Sequence, residues 1–255
     1  MTDDRPGFRA ALSNRMIQMM LGVFAFVAAA ATGATLGMQS TGSVAVGDRA
    51  AIEKIVRDYI LEHPEIIPEA VERLQAKRMT GNIETSRQAI ETPYAGAWEG
   101  AAKGDVTLVE FFDYACGYCR ASLPDLAKLV GEDKGLKIVY RELPILSDES
   151  ADAAKVSLLA AEKGQYMPYH RALYGAGRVT RDTILAAAAK VGIDRAAAEA
   201  AIASGRYNAE IQSNIALAQK LQASGTPTFV IGSQVLNGAV GYEALKKAVD
   251  SARGK

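Results

Sequence analysis

The sequence predicts an α/β domain with a central sheet and a helical insertion, preceded by an N-terminal helical arm. Three observations carry this. The only two cysteines of 255 residues form Cys116-Gly117-Tyr118-Cys119, at the junction between an apolar β-type run and a helical pattern. Further β-type runs lie on both sides of a long Ala-rich helical block. Upstream, residues 48–78 carry apolar side chains at helical spacing.

From the N-terminus, Arg5, Arg9 and Arg15 precede an uncharged stretch from Met16 to Gly47, with its apolar heart at Met19–Ala31. Basic residues, an apolar segment and an A-x-A site at Ala29-Ala30-Ala31 describe a secretory signal. Read on to Met38, the segment is also long enough to span a bilayer as an anchor, although Gln18, Thr32, Gly33 and Thr35 weaken that reading. Residues 1–38 are therefore read as a cleaved signal peptide in preference to an uncleaved inner-membrane anchor. Both place the rest of the chain in the periplasm or another extracytoplasmic space.

Composition adds exclusions. Lys plus Arg and Asp plus Glu are 29 each, so the zero net charge gives no footprint for nucleic acid. The mature length allows one sizeable core plus an appendage.

Residues 48–96 are read as helical arm and linker, and 97–255 as the main domain. In the arm, Ile52, Ile55, Val56, Tyr59 and Ile60 form one continuous stripe. Pro64 interrupts, and Pro68 sits near the first turn of a second helix carrying Ile67, Ala70, Val71 and Leu74. Two short amphipathic helices need a partner surface. Self-association through residues 48–78, giving a homo-oligomer, is preferred over packing on the main domain. Met79–Gly104 reads as part helix and part linker, with Trp98 covering a core edge.

In the main domain, Val106–Asp113 is a buried strand leading into the CxxC, and Arg120–Val130 continues as a helix. Gly135–Pro144 is a second strand. Glu149–Ala223 is helical, broken at Gly164, Gly175–Gly177, Gly192 and Gly205. Thr226–Gly232 and Gln234–Ala239 return to β structure, and Gly241–Asp250 closes as a helix.

A CxxC where a strand becomes a helix places Cys116 at the helix N-terminus, where free N–H groups and the macrodipole favour a thiolate. Cysteine pKa values fall there from ~8.5 to roughly 3.5–7.5. Cys116 is expected as an exposed nucleophile and Cys119, one turn further in, as the resolving thiol. A disulfide over so short a loop would add little stability. Zinc needs about four ligands, and His63 and His170 lack ligand spacing, so neither metal nor cofactor is expected.

Glu110–Cys119, the helical insertion and Gly225-Thr226-Pro227-Thr228-Phe229 together resemble the DsbA family of disulfide oxidoreductases. That resemblance implies a thioredoxin fold from about Ala97 onward. The arm Ile52–Ile67 resembles the N-terminal region of ScsC-like proteins, periplasmic members of which some oligomerise and act as isomerases. Carried over, Cys116 attacks, Cys119 releases the mixed disulfide, and Pro227, following Thr226, is a cis-proline presenting backbone to substrate. Glu110 matches a buried acid that accepts the Cys119 proton, preferred over its reading as a surface-edge or ion-paired strand position. Gly117-Tyr118 replaces the Pro-His of the strongest oxidant, so a potential less oxidising than ~−120 mV is expected. Gly-Tyr with Thr before the proline resembles the isomerase DsbC instead, and Tyr118 is expected on the substrate surface.

The implied function is thiol–disulfide exchange on exported cysteine-containing proteins, with a membrane thiol–disulfide redox partner. An isomerase or reductase is preferred; a dithiol oxidase is the alternative. A third reading is a chaperone or copper-handling protein using the CxxC as a soft-ligand site.

Overall fold

The computed structural model describes residues 46–254; residues 1–38, read as signal or anchor, lie outside the described residues. The chain divides into two compact units, one ending at Pro68 and one beginning at Glu69. The first contains α1 (Val46–Glu62), whose helix is reinforced by i,i+4 ion pairs Arg49–Glu53 (2.8 Å) and Lys54–Asp58 (2.5 Å). His63-Pro64 ends it, because the residue before proline avoids helical backbone. Ile52, Ile55, Val56, Tyr59, Leu61, Ile66 and Ile67 of this unit are exposed. No helix among the described residues is long and apolar enough to cross a membrane.

α2 (Ile66–Glu91) places Pro68 in its first turn, where no helical N–H is needed. It runs without interruption through residues 79–91, the first half of the stretch read from sequence as part helix and part linker. Ile83 and Ile90 are 1% exposed and pack in a cluster with Val109, Phe111, Val139 and Val230 of the sheet. The α2 C-terminus is capped by a buried cation. Arg141 donates to the Ala89, Ile90 and Thr92 carbonyls and pairs with Glu210 at 3.0 Å.

The sheet contains β1 (Trp98–Gly100), β2 (Val106–Phe112), β3 (Leu136–Glu142), β4 (Thr228–Ile231) and β5 (Gln234–Asn237) in the order β1-β3-β2-β4-β5. β2 and β3 are parallel, with Val106 opposite Leu136 and Phe112 opposite Glu142; the other pairs are antiparallel. β1 is a short edge strand that the sequence did not signal, and it holds Trp98. Both faces of the sheet are covered, which is why β2 reads as a nearly continuous apolar run. One face carries Val109 and Phe111 against α2. The other carries Leu108, Phe112, Ile138 and Phe229 against α3 (Gly117–Glu132), α9 (Tyr242–Ala252) and the insertion.

The Ala-rich block is five helices: α4 (Asp148–Glu162), α5 (Tyr166–Gly175), α6 (Arg181–Lys190), α7 (Arg195–Ala203) and α8 (Asn208–Lys220). Small side chains let α4 to α7 pack closely. Gly164 and Gly177 make their turns at φ 68° and 85°, a region glycine enters without steric cost. This is a thioredoxin fold with a helical insertion and an N-terminal helical region, as the sequence predicts.

Candidate active site

Period-two alternation along β2 puts Glu110 on the same face as Leu108 and Phe112, the face that α3 covers. Glu110 is 1% exposed, and neither carboxyl oxygen has a hydrogen-bond partner. Burial first, then the negative charges of Cys116 and Glu99, pushes its carboxyl up to about 8. The ion-paired or surface-edge reading of this residue is thereby excluded.

Beyond β2 the chain makes a turn into α3, fixed by Asp113. Its main-chain carbonyl accepts the Cys116 N–H at 3.0 Å and the Tyr174 hydroxyl at 3.0 Å. One carboxylate oxygen accepts the Ala115 N–H at 2.8 Å. The other accepts the Ile145 and Leu146 N–H groups at 2.8 and 3.0 Å. No motif reading singled out Asp113, because its partners lie about thirty residues downstream; its place in the turn before the CxxC was the only signal.

Cys116 is the N-cap of α3, and its sulfur accepts the Cys119 N–H at 3.4 Å. The expectation of an exposed Cys116 is corrected: it is 6% exposed. Its sulfur turns inward, donating to the Thr226 carbonyl at 3.1 Å, so the loop before β4 covers it. Gly117 and Tyr118 are exposed, Tyr118 by 71%, while Cys119 is 1% exposed. Burial, then the Glu110 charge, holds the Cys119 thiol far above the ordinary cysteine range. Both cysteines are free thiols.

The Thr226-Pro227 peptide is cis, as the resemblance implies. Thr226 is half-buried and Pro227 buried, and the Pro227 carbonyl accepts the Gly238 N–H at 2.8 Å. The Thr228 hydroxyl lies 2.8 Å from the Gly225 carbonyl and 2.9 Å from Asn237 Oδ1, pinning the turn against β5. The structure thus brings Cys116, Cys119, Glu110, Gly117, Tyr118, Thr226 and Pro227 to one end of the sheet.

Behind the site lies a buried polar and aromatic cluster that the sequence did not reveal. The Tyr114 hydroxyl lies 2.8 Å from Ser157 Oγ and 3.1 Å from His170 Nδ1, and the Tyr166 hydroxyl donates to Glu142 at 3.2 Å. Burial lowers His170 to about 3, so its imidazole is neutral, and burial raises Glu142 well above the usual carboxyl range. Among the described residues, no three His, Cys, Asp or Glu side chains group as metal ligands.

Residues 107–250 match the DSBA-like thioredoxin domain, and residues 48–78 match the copper resistance protein ScsC N-terminal domain. The chain belongs to the DSBA-like thioredoxin family. A thioredoxin-like oxidoreductase from Silicibacter pomeroyi DSS-3 is 38% identical with TM-score 0.63, covering 66% of this chain and 98% of that one. Proteus mirabilis ScsC in a transitional conformation is 25% identical with TM-score 0.62, covering 84% of this chain and 99% of that one. The Na(+)/H(+) antiporter NhaA 1 of Salinispora arenicola is 28% identical over 156 residues, 60% of this chain. The chain spans only 24% of that relative's length. Membership agrees with the site: the fold is that of a thiol–disulfide oxidoreductase.

Proposed function

We propose that this chain catalyses thiol–disulfide exchange on exported proteins, acting as an isomerase or reductase that assembles through its N-terminal arm. The observation that carries the chemistry is Cys116 at the α3 N-cap, 3.1 Å from Thr226, with Cys119 and Glu110 buried behind it. The direction is supported by Gly117-Tyr118 between the cysteines and by the exposed stripe Ile52, Ile55, Val56 and Tyr59. Export is supported by the basic and apolar composition of residues 1–38.

The Cys116 thiolate attacks one sulfur of a substrate disulfide. A Cys116–substrate bond forms, the substrate S–S bond breaks, and the released substrate thiolate takes up a proton. If a substrate thiolate then displaces Cys116, a new substrate disulfide forms, Cys116 is regenerated, and no electrons are exchanged in net. If Cys119 attacks instead, its thiol proton passes to the Glu110 carboxylate. The Cys116–Cys119 disulfide forms and the substrate leaves with both sulfurs reduced. Two electrons have then moved to substrate, and a membrane thiol–disulfide partner restores the dithiol. Burial of Cys119 makes its deprotonation the demanding step, so the mixed disulfide persists long enough for a substrate thiol to compete.

The test is recovery of activity by a scrambled-disulfide protein, comparing the parent with Ile55→Glu/Tyr59→Glu, which charges the arm stripe. Unscrambling by the parent and its loss in the arm variant support an oligomeric isomerase. Equal failure by both, with oxidation of a reduced peptide retained, makes the chain a dithiol oxidase instead.

A further inference from the structure

We infer that Glu99, held on the edge strand between Tyr140 and Arg171, is a positioning residue for the resolving step, governing how readily Glu110 takes and gives up the Cys119 proton. This rests on the proposed thiol–disulfide exchange. Three strands carry the arrangement. Glu110 of β2 stands opposite Tyr140 of β3, and Glu99 of β1 stands opposite Ile138, two residues before Tyr140. Residues paired across neighbouring strands share a face, as do residues two apart along one strand. Glu110, Tyr140, Ile138 and Glu99 therefore all lie on the face that α3 and the insertion cover. There the Tyr140 hydroxyl donates to Glu99 Oε1, and Arg171 of α5 pairs with Glu99 Oε2 at 3.1 Å. A polar row crosses an otherwise apolar face, from the unpartnered Glu110 carboxyl to the surface.

The two ends of the Glu99 ion pair meet different surroundings. The Glu99 side chain is 13% exposed and rests on the buried Tyr140, whereas Arg171 is 68% exposed. Water screens the outer cation more than the inward carboxylate, so the pair leaves a net negative field inside the domain. The titratable groups that face Glu110 come from four elements: Cys116 and Cys119 at α3, Glu99 of β1, Tyr140 and Glu142 of β3, and Tyr174 of α5. Phe229 of β4, opposite Glu110, brings no charge. Burial keeps Tyr140 and Tyr174 neutral and pushes Glu142, bonded to the Tyr166 hydroxyl, well above the ordinary carboxyl range. His170, next to Arg171, is likewise neutral. In the mixed disulfide the Cys116 sulfur is bonded to substrate and carries no charge. The Glu99 carboxylate is then the ionic group of this set still acting on Glu110, in the state in which Glu110 takes the proton. A like charge strengthens Glu110 as a proton acceptor and, by the same field, keeps it protonated to higher pH between turnovers.

The test follows glutathione release from a Cys116–glutathione mixed disulfide of the full chain by stopped flow, from pH 5 to pH 9. Glu99→Gln keeps an acceptor for the Tyr140 hydroxyl and removes the charge. It should move the inflection of the pH–rate profile down by about half a pH unit and raise the rate at pH 7 about threefold. Arg171→Gln leaves the Glu99 carboxylate uncompensated and should move the inflection up. Tyr140→Phe frees that carboxylate to turn toward water and should move it down, as Glu99→Gln does. A merely structural role would lower the rate at every pH and leave the inflection in place. An unmoved inflection in folded Glu99→Gln overturns the role of Glu99, and an unmoved inflection in Tyr140→Phe overturns its hold by Tyr140. If Glu99→Gln does not fold, an unmoved or lowered inflection in Arg171→Gln, a change at the surface, overturns the proposal. A parent that forms no mixed disulfide at Cys116 overturns the exchange reading itself, a separate result.

Discussion

The Cys116 thiol and the Thr226 carbonyl, 110 positions apart in sequence, lie 3.1 Å apart. This contact joins the two motifs of the chain and explains the low exposure of Cys116. The sulfur sits under the backbone just before Pro227, which the family resemblance implies presents its main chain to substrate.

Glu110 governs a slope of stability with pH. Its folded-state carboxyl lies at about 8 against 4.5 for the unfolded chain, so the folded protein holds the proton over a range where the unfolded chain has released it. Stability therefore falls as pH rises from 4.5 toward 8, with a cost of about 3 kcal/mol by pH 7 from this residue. Glu110→Gln removes that contribution. Urea unfolding of both proteins at pH 5 and pH 8 should show the variant gaining on the parent at the higher pH; equal differences at both would contradict the buried neutral acid.

The same residue sets the pH dependence of the resolving step. At pH 7 the Glu110 carboxyl is mostly protonated, and its basic form grows toward pH 8. Stopped-flow release of a Cys116 mixed disulfide should accelerate over that range in the parent. In Glu110→Gln it should be slower by about 10²-fold and lose that inflection. An unchanged profile would take proton transfer away from Glu110.

α2 belongs energetically to the sheet. Ile90 is 1% exposed against Val109 and Phe111 with their neighbours, so Ile90→Ala should cost about 2–5 kcal/mol in chemical denaturation. Val71→Ala, on the exposed part of the same helix, should cost far less. Equal losses would mean that α2 does not carry its C-terminal half into the core.

The arm stripe predicts assembly. Exposure of Ile55 at 67% and Tyr59 at 52% leaves an apolar face uncovered. Sedimentation should find the parent above monomer mass and Ile55→Glu/Tyr59→Glu at monomer mass with unchanged helix content. A monomeric parent would remove the oligomeric reading.

Much of this was legible in the sequence because it is local. A strand running into a CxxC and then a helix fixes where Cys116 sits, and glycines at positive φ mark the breaks in the Ala-rich block. Glu110 follows from alternation once β2 is known. The rest depends on long-range contacts that no local pattern encodes. Asp113 reaches Ile145 across 32 positions, and Tyr114 reaches His170 across 56. The covering of Cys116 depends on Thr226, and the continuity of α2 on Arg141, whose guanidinium satisfies the carbonyls at its end. Residues 79–91 read as partly linker because Gly81 and several polar side chains mask two apolar contacts, Ile83 and Ile90, that the sheet makes decisive.

The most direct measurement of the central claim is covalent trapping. Cys119→Ser, incubated with a disulfide-bonded protein, should accumulate a mixed disulfide that intact-mass and peptide mapping place on Cys116, and Cys116→Ser should trap nothing. Absence of the adduct in folded Cys119→Ser, or the same adduct in Cys116→Ser, would contradict thiol–disulfide exchange through Cys116.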